Sequence, residues 1–192
     1  MTDFPLTLRR FGLQDVDTVR DTLVDTYAEV YADRLAEPFL SLHRFQERLQ
    51  GHISRPGWTA VVGYDGDQAI GYAYAAPLPE SPRWWVGLTD PATGLDTTET
   101  GSRTLALFEL MVRTPWRKTG TAQAIHEDLL TGRPEERVTL MVEPHKPGVR
   151  RLYERWGYAR VGSVQPFPDS PTFHVMLREL GGDQGAGSRS LI

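Results

Sequence analysis

Arg117-Lys118-Thr119-Gly120-Thr121-Ala122 joins an apolar run, Leu105 to Val112, to an amphipathic segment, Gln123 to Leu130. The run has the length and composition of a buried strand, and the segment beyond the turn has helical spacing. A helix start leaves backbone N–H groups unpaired at the positive end of the helix dipole. With a glycine in the turn the backbone can come close to a ligand, so this junction suits a phosphate or pyrophosphate.

Working outward, Gly132 and Pro134 close that helix, glycine first and proline beyond it. Arg137 to Val142 reads as a strand. Pro147 to Trp156 reads as a helix, with Val149, Leu152, Tyr153 and Trp156 at i, i+3, i+4, i+7 and Gly157 as its cap. Ala159 to Val164 and Thr172 to Leu180 form a last strand pair, and 181–192 is a Gly- and Ser-rich tail read as flexible.

Upstream, Leu6 to Phe11 is a strand, and Asp15 caps a helix carrying Val16, Val19, Leu23 and Val30 on one stripe. Ser41 opens a second helix that buries Leu42, Phe45, Leu49 and Ile53 and ends at Pro56-Gly57. Thr59 to Tyr64 and Ala69 to Ala76 are strands joined by Asp65-Gly66-Asp67-Gln68. Pro77 to Arg103 is irregular around Trp84-Trp85, and so long a connection inside a domain is more often functional than inert, as a lid would be. Strand, two helices, three strands, helix, strand, helix and two strands predict one domain over 1–180. Its class is α/β (α+β), with helices on the faces of a mixed sheet.

Composition removes several functions. The chain has 192 residues, enough for a full core, with 40% hydrophobic and 24% charged residues. No apolar run approaches the roughly 20 residues needed to span a bilayer, and the start has no basic region leading into an apolar stretch. A cytoplasmic protein is expected, without membrane insertion. Zero cysteines exclude disulfides and any acyl-cysteine route. Net charge of −4 with no basic stripe argues against nucleic acid. The five histidines have no paired ligand spacing, so no metal is expected.

From the central strand onward the chain resembles the GCN5-related N-acetyltransferases (GNAT), which use acetyl-CoA to acetylate amines. The resemblance rests on Met111-Val112-Arg113 followed by the family's Gln or Arg, two residues, Gly, one residue, then Gly or Ala, met by Arg117, Gly120 and Ala122. Leu152-Tyr153-Glu154-Arg155-Trp156-Gly157-Tyr158 is similar to the family's second signature at the matching distance. The likeness covers 105–180, with a CoA-binding core over 105–158; residues 12–104 match in element order only, where relatives build the acceptor side.

The resemblance implies a mostly antiparallel sheet of about six to seven strands flanked by about four helices. Its central strands, Leu105 to Arg113 and Arg137 to Val142, would splay beside a bulge. Acetyl-CoA would be the co-substrate, its pantetheine arm between those strands along the backbone of Met111, Val112 and Arg113. The N–H groups of Lys118, Thr119, Gly120, Thr121 and Ala122 would surround the pyrophosphate, with added charge from Arg117 and Lys118. A strand N–H near Met111 would face the developing oxyanion. Lys146 stands where many relatives carry asparagine, either near the CoA phosphates or merely at a helix start.

Tyr153 corresponds to the family's proton donor to the departing thiolate, and a phenol of ordinary pKa ~10 is protonated at neutral pH. On its own spacing it is equally an aromatic on a packed helix face. Glu109 is the charged residue of the central strand and a candidate base, or else a contact for the acceptor or an arginine. Relatives with a strand glutamate place it where this chain has Ala106, and a three-residue offset reverses the face unless a bulge intervenes. Tyr27, Tyr31, Trp84 and Trp85 fall where relatives build the acceptor pocket, and Glu29, Asp33 and Glu37 could form a negative wall for a cationic amine. The acceptor would be a small-molecule amine, a protein lysine or an N-terminal amine; a homodimer is neither required nor excluded. Two further readings are a non-catalytic acyl-CoA-binding module and a transferase for a larger acyl group.

Overall fold

The structure is a computed structural model describing residues 4–181, so positions 182–192 of the expected tail lie outside the described residues. The elements are β1 (Leu6–Phe11), α1 (Val16–Val30), α2 (Leu42–Ile53), β2 (Thr59–Asp65), β3 (Gln68–Pro77), β4 (Thr104–Val112), α3 (Thr121–Leu130), β5 (Arg137–Val142), α4 (Pro147–Arg155), β6 (Ala159–Val164) and β7 (Phe173–Glu179). One seven-stranded sheet runs β1-β2-β3-β4-β5-β7-β6 and is antiparallel at every joint except β4–β5. No described helix is long and apolar enough to cross a membrane.

Side-chain alternation sorts the two faces. Tyr72, Tyr74 and Ala76 of β3 join Ala60 and Val62 of β2 in a core with Leu23, Tyr27, Phe45 and Leu49 from α1 and α2. Ala73, Ala75 and Val61 point the opposite way, toward Ile125 and Leu129 of α3 and Tyr153 of α4. Small β3 side chains on that face let α3 lie close to the sheet. Leu23, Phe45, Leu49, Ile125 and Leu129 are fully buried, each stabilising the fold by about 1.5–3 kcal/mol relative to exposure.

Two helix starts differ in how they close. Ser41 Oγ accepts the Arg44 N–H at 3.3 Å and caps α2 as expected. Asp15 does not cap α1; its carboxylate accepts the Gly12 N–H at 2.9 Å and closes the short 3-10 turn before the helix.

The 78–103 segment, expected as a lid, is built into the domain as a wall. Leu78 and Trp85 pack on Val161, Val164 and Val175 of β6 and β7. Thr89 and Ser163 exchange backbone hydrogen bonds of 2.8 and 2.9 Å. Beneath the wall, Glu99 Oε1 accepts from the Trp85 indole at 3.0 Å, the Thr104 hydroxyl at 2.7 Å and the Arg137 guanidinium at 3.0 Å.

Two features of β4 shape the site. Its pairing with β5 is confined to Thr104–Ala106 against Arg137–Thr139, and beyond that the strands part. Against β3 the register steps from Ala75↔Leu107 to Tyr74↔Glu109, leaving Phe108 as a bulged residue. The bulge restores the face that the offset would have reversed: Glu109 is paired with Tyr74 and Ala106 with Ala76, both on the α1/α2 side. Just past it, a Cβ on Gly71 would lie 2.6 Å from the Met111 carbonyl oxygen, so glycine is what lets β3 and β4 stay paired there.

Candidate active site

The turn from Arg117 to Ala122 leads into α3 as read. Lys118 has φ 65° and Gly120 φ 92°, both left-handed, so the chain turns sharply into α3. Among the described residues, no backbone N–H from Lys118 to Gln123 donates to another group. The Thr119 hydroxyl is turned inward, donating to the Trp116 carbonyl at 2.7 Å and meeting the Thr121 hydroxyl at 2.8 Å. Trp116 in turn donates to Asp65 at 3.1 Å and ties the turn to the β2–β3 hairpin. Thr119 and Thr121 thus brace the turn with their side chains while their amides stay free. A Cβ at Gly120 would touch nothing, so the space beside the turn is open. The residues fit an anion such as a pyrophosphate.

Next to the turn lies the gap between β4 and β5. The Arg113 N–H donates to the Ile70 carbonyl at 2.8 Å, and alternation therefore turns Met111 toward β3 as well. The amides that open on the gap are those of Leu110 and Val112, and the Val112 carbonyl is taken by Arg117 Nε at 3.0 Å. These two gap-facing amides stand on either side of Met111. The Arg113 guanidinium is committed to Glu29 and to the Thr26 hydroxyl at 3.3 Å, fastening β4 to α1.

The gap opens into a cleft of about 390 Å³ that reaches from the α1/α2 side of the sheet through to Leu107, Leu140 and Tyr153 of the opposite face. Tyr27, Tyr31, Trp84, Glu109, Lys146 and Tyr153 all line it. Trp85 does not; it faces the core beneath the wall. Two of the three acids read as a negative wall after α1 are matched: Glu29 is paired with Arg113, and Glu37 lies 2.7 Å from Arg34, while Asp33 is exposed and makes no ion pair to a described residue. Lys146 is turned toward Glu143 and Tyr31 and makes no contact with the turn at Gly120. Its ammonium is 2.6 Å from Glu143 and 5.6 Å from the Tyr31 ring centre, on the cleft floor.

Burial sets the protonation states. Glu109 is pushed up to about 7 chiefly by desolvation, against the charges of Arg48 and Lys146, which pull it down. Tyr153 stands edge-on to Trp156 and Tyr158, with ring centres 5.4 and 5.5 Å away. Its hydroxyl has no hydrogen-bond partner among the described residues, and burial followed by the Glu109 charge lifts its pKa, so it stays a phenol. Tyr27 is pushed up to about 12 by the same causes in the same order and donates to the Leu40 carbonyl at 3.0 Å.

The sequence reading missed the α2 wall of the cleft. Arg48, His52 and Arg55 are spaced i, i+4, i+7, a stripe that was there to be seen beside the apolar one. His52 stacks on Phe108 with centres 3.9 Å apart and planes at 11°, and burial drives its pKa down to about 3, so it is neutral.

No protein-family model matches the sequence, and no curated protein matches it either. Solved structures do match. An acetyltransferase from Thermus thermophilus aligns at TM-score 0.58 and 18% identity over 94% of this chain and 100% of its own. The acetyltransferase of the GNAT family from Streptococcus pneumoniae gives 0.58 at 12%, over 92% and 100%. The PaiA N-acetyltransferase from Thermoplasma acidophilum, in complex with coenzyme A, gives 0.56 at 11%, over 91% and 99%. With the parallel joint splayed beside a bulge and the glycine-bearing turn next to it, the architecture built up strand by strand is the GNAT fold.

Proposed function

We propose that this chain is an acetyl-CoA-dependent N-acetyltransferase that acts by direct transfer to an amine in a ternary complex. One observation carries the reading: unpaired amides from Lys118 to Gln123 adjoin a gap in the sheet whose far end presents both Glu109 and Tyr153. The amides of Lys118 to Ala122, with the charge of Lys118, hold the pyrophosphate, and the open edges of β4 and β5 flank the pantetheine arm. Bound there, acetyl-CoA supplies the thioester.

Glu109, whose carboxyl sits near neutrality, takes the proton from the attacking amine. The Leu110 N–H stabilises the negative charge that develops on the carbonyl oxygen. Tyr153 gives its phenolic proton to the leaving sulfur, and the proton that Glu109 took from the amine then returns the phenolate to a phenol and Glu109 to a carboxylate. Tyr27, Tyr31 and Trp84 shape the acceptor side, with Trp84 fixed by a 3.2 Å hydrogen bond to the Thr139 hydroxyl.

A thiol-release assay with acetyl-CoA and a panel of amines tests the reading. Tyr153→Phe lowers kcat by roughly 10²-fold, the low end for a proton donor because a thiolate departs fairly readily unaided. CoA affinity stays the same. Unchanged turnover across neutral pH would remove Tyr153 from the mechanism, and CoA binding without turnover of any amine would instead favour a regulatory acyl-CoA-binding module. At the other end, Gly120→Ala raises the KM for acetyl-CoA by about tenfold with little change in kcat, because an alanine at φ 92° costs about 1–2 kcal/mol and shifts the amides. Equilibrium binding of CoA to the variant checks this.

A further inference from the structure

Among the described residues, most arginines away from the cleft are matched to carboxylates: Arg34 to Glu37, Arg44 to Asp169, Arg103 to Asp96, Arg113 to Glu29, Arg137 to Glu99 and Arg160 to Asp90. Arg48, Arg55 and Arg83 line the cleft and make no ion pair with a carboxylate there, although the charge of Arg48 acts on Glu109. Arg48 is 9% exposed; its contacts are the Phe39 carbonyl at 2.6 Å, the Tyr27 hydroxyl at 3.5 Å and the Phe39 ring. Arg55 is half-buried, makes no hydrogen bond to a described residue, and lies 5.1 Å from the Phe108 ring centre. A guanidinium withdrawn from water without a counter-ion, as that of Arg55 is, is costly, and the cost is relieved when a ligand brings the anion.

The cleft is thus polarised. Its carboxylates, Glu109 and Glu143, stand on β4 and just after β5, with Glu143 already held by Lys146 at 2.6 Å and His145 at 2.8 Å. Its unmatched cations stand on α2, just past its end and on the wall segment. Phe108 marks the border: its ring carries Arg55, and its chain neighbour is Glu109. The phosphate turn is elsewhere and does not line this cleft, so these arginines are not needed to hold the pyrophosphate.

We infer that the acceptor is an amphoteric amine, whose amino group meets Glu109 while a carboxylate on the same molecule is received by Arg55, Arg48 and Arg83. The inference rests on the transferase reading above. It disfavours polyamines, which would carry a second positive charge into the arginine side. Neutral His52, between the arginines on the α2 stripe, adds no competing charge and widens the anion's polar surroundings.

The test uses leucine, phenylalanine and γ-aminobutyrate, each beside its carboxamide, together with spermidine. The acids are expected to exceed their amides at least tenfold in kcat/KM. For the α-amino acids this preference opposes intrinsic reactivity, because the amide's amine is less basic and starts more deprotonated. Arg55→Gln removes the preference mainly through KM and leaves the amides within about twofold, whereas Arg55→Lys retains part of it. Arg83→Gln, at an exposed position, shifts the same ratio in the same direction.

Equal or better turnover of amides or spermidine, or an Arg55→Gln effect of the same size on acids and amides, would overturn the amphoteric acceptor and leave the transferase intact. Absence of turnover with every amine would overturn the transferase. In that event, calorimetry of leucine against leucinamide in the presence of CoA still decides the anion site: tighter binding of leucine, lost in Arg55→Gln, supports it, and equal binding ends it.

Discussion

Glu109→Gln lowers kcat/KM about 10³-fold at pH 8, within the range that positioned proton transfer supplies. The wild-type rate rises with pH through about 7, where the Glu109 carboxyl ionises, and the variant loses that rise. The sign follows from the mechanism: the base must be a carboxylate, so activity grows as the proton leaves. Stability moves the opposite way. A carboxyl whose folded pKa lies above its unfolded value binds more protons in the native state between the two, so the native state weakens as pH climbs from about 4.5 to about 7. Glutamine has no ionisation to disfavour, and the variant should be the more stable protein at pH 8, by on the order of 2 kcal/mol less whatever Arg48 loses with its negative neighbour. Chemical denaturation at pH 5 and pH 8 beside the pH–rate profile checks both halves. A variant that keeps the rise through neutrality would show that another group, or water, takes the amine's proton.

The parts of this fold legible in the sequence are those set by short-range rules. The β2–β3 hairpin, the Ser41 cap and the strand–turn–helix around Gly120 follow from local chemistry and sit where spacing puts them. Tyr153 was visible as a helix-face aromatic, and only the pairing of two motifs singled it out. What remained hidden depends on contacts remote in sequence. The bulge at Phe108 arises because β4 must pair with β3 along its length yet leave β5 after three residues, and nothing within Leu105–Val112 announces it. The face of Glu109 hangs on that bulge. The same limit explains Trp85: beside Trp84 in sequence, it turns to Glu99 and Arg137, partners that only the folded wall brings near. Glu29 and Glu37 looked like free charge because their arginine partners, one of them just past β4, could not be assigned from the helix alone.

That buried triad carries the second large effect. Glu99→Ala should destabilise the protein by about 3–5 kcal/mol, because it leaves the Arg137 guanidinium, 4% exposed, without its counter-charge. Glu99 Oε1 alone receives the Trp85 indole, the Thr104 hydroxyl and Arg137 Nη2, so one substitution unlinks the wall from both central strands at the joint where they pair. For a chain of this length the melting midpoint should fall by roughly 10 °C. The double variant Glu99→Ala/Arg137→Met should recover much of the loss, since a buried pair replaced whole by apolar side chains is often near neutral, and the cycle isolates the coupling. The consequence reaches the cleft through one peptide bond: Trp84, next to Trp85, meets Phe108 edge-on at 6.0 Å, and Phe108 carries Arg55 and His52. Glu99→Ala should therefore raise the acceptor KM at temperatures where the chain is still folded, with the acetyl-CoA KM little changed, because the phosphate turn is braced separately through Trp116 and Asp65. A loss below about 1 kcal/mol would mean that the apolar contacts of Leu78 and Trp85 and the Thr89–Ser163 backbone pair hold the wall without the ion pair.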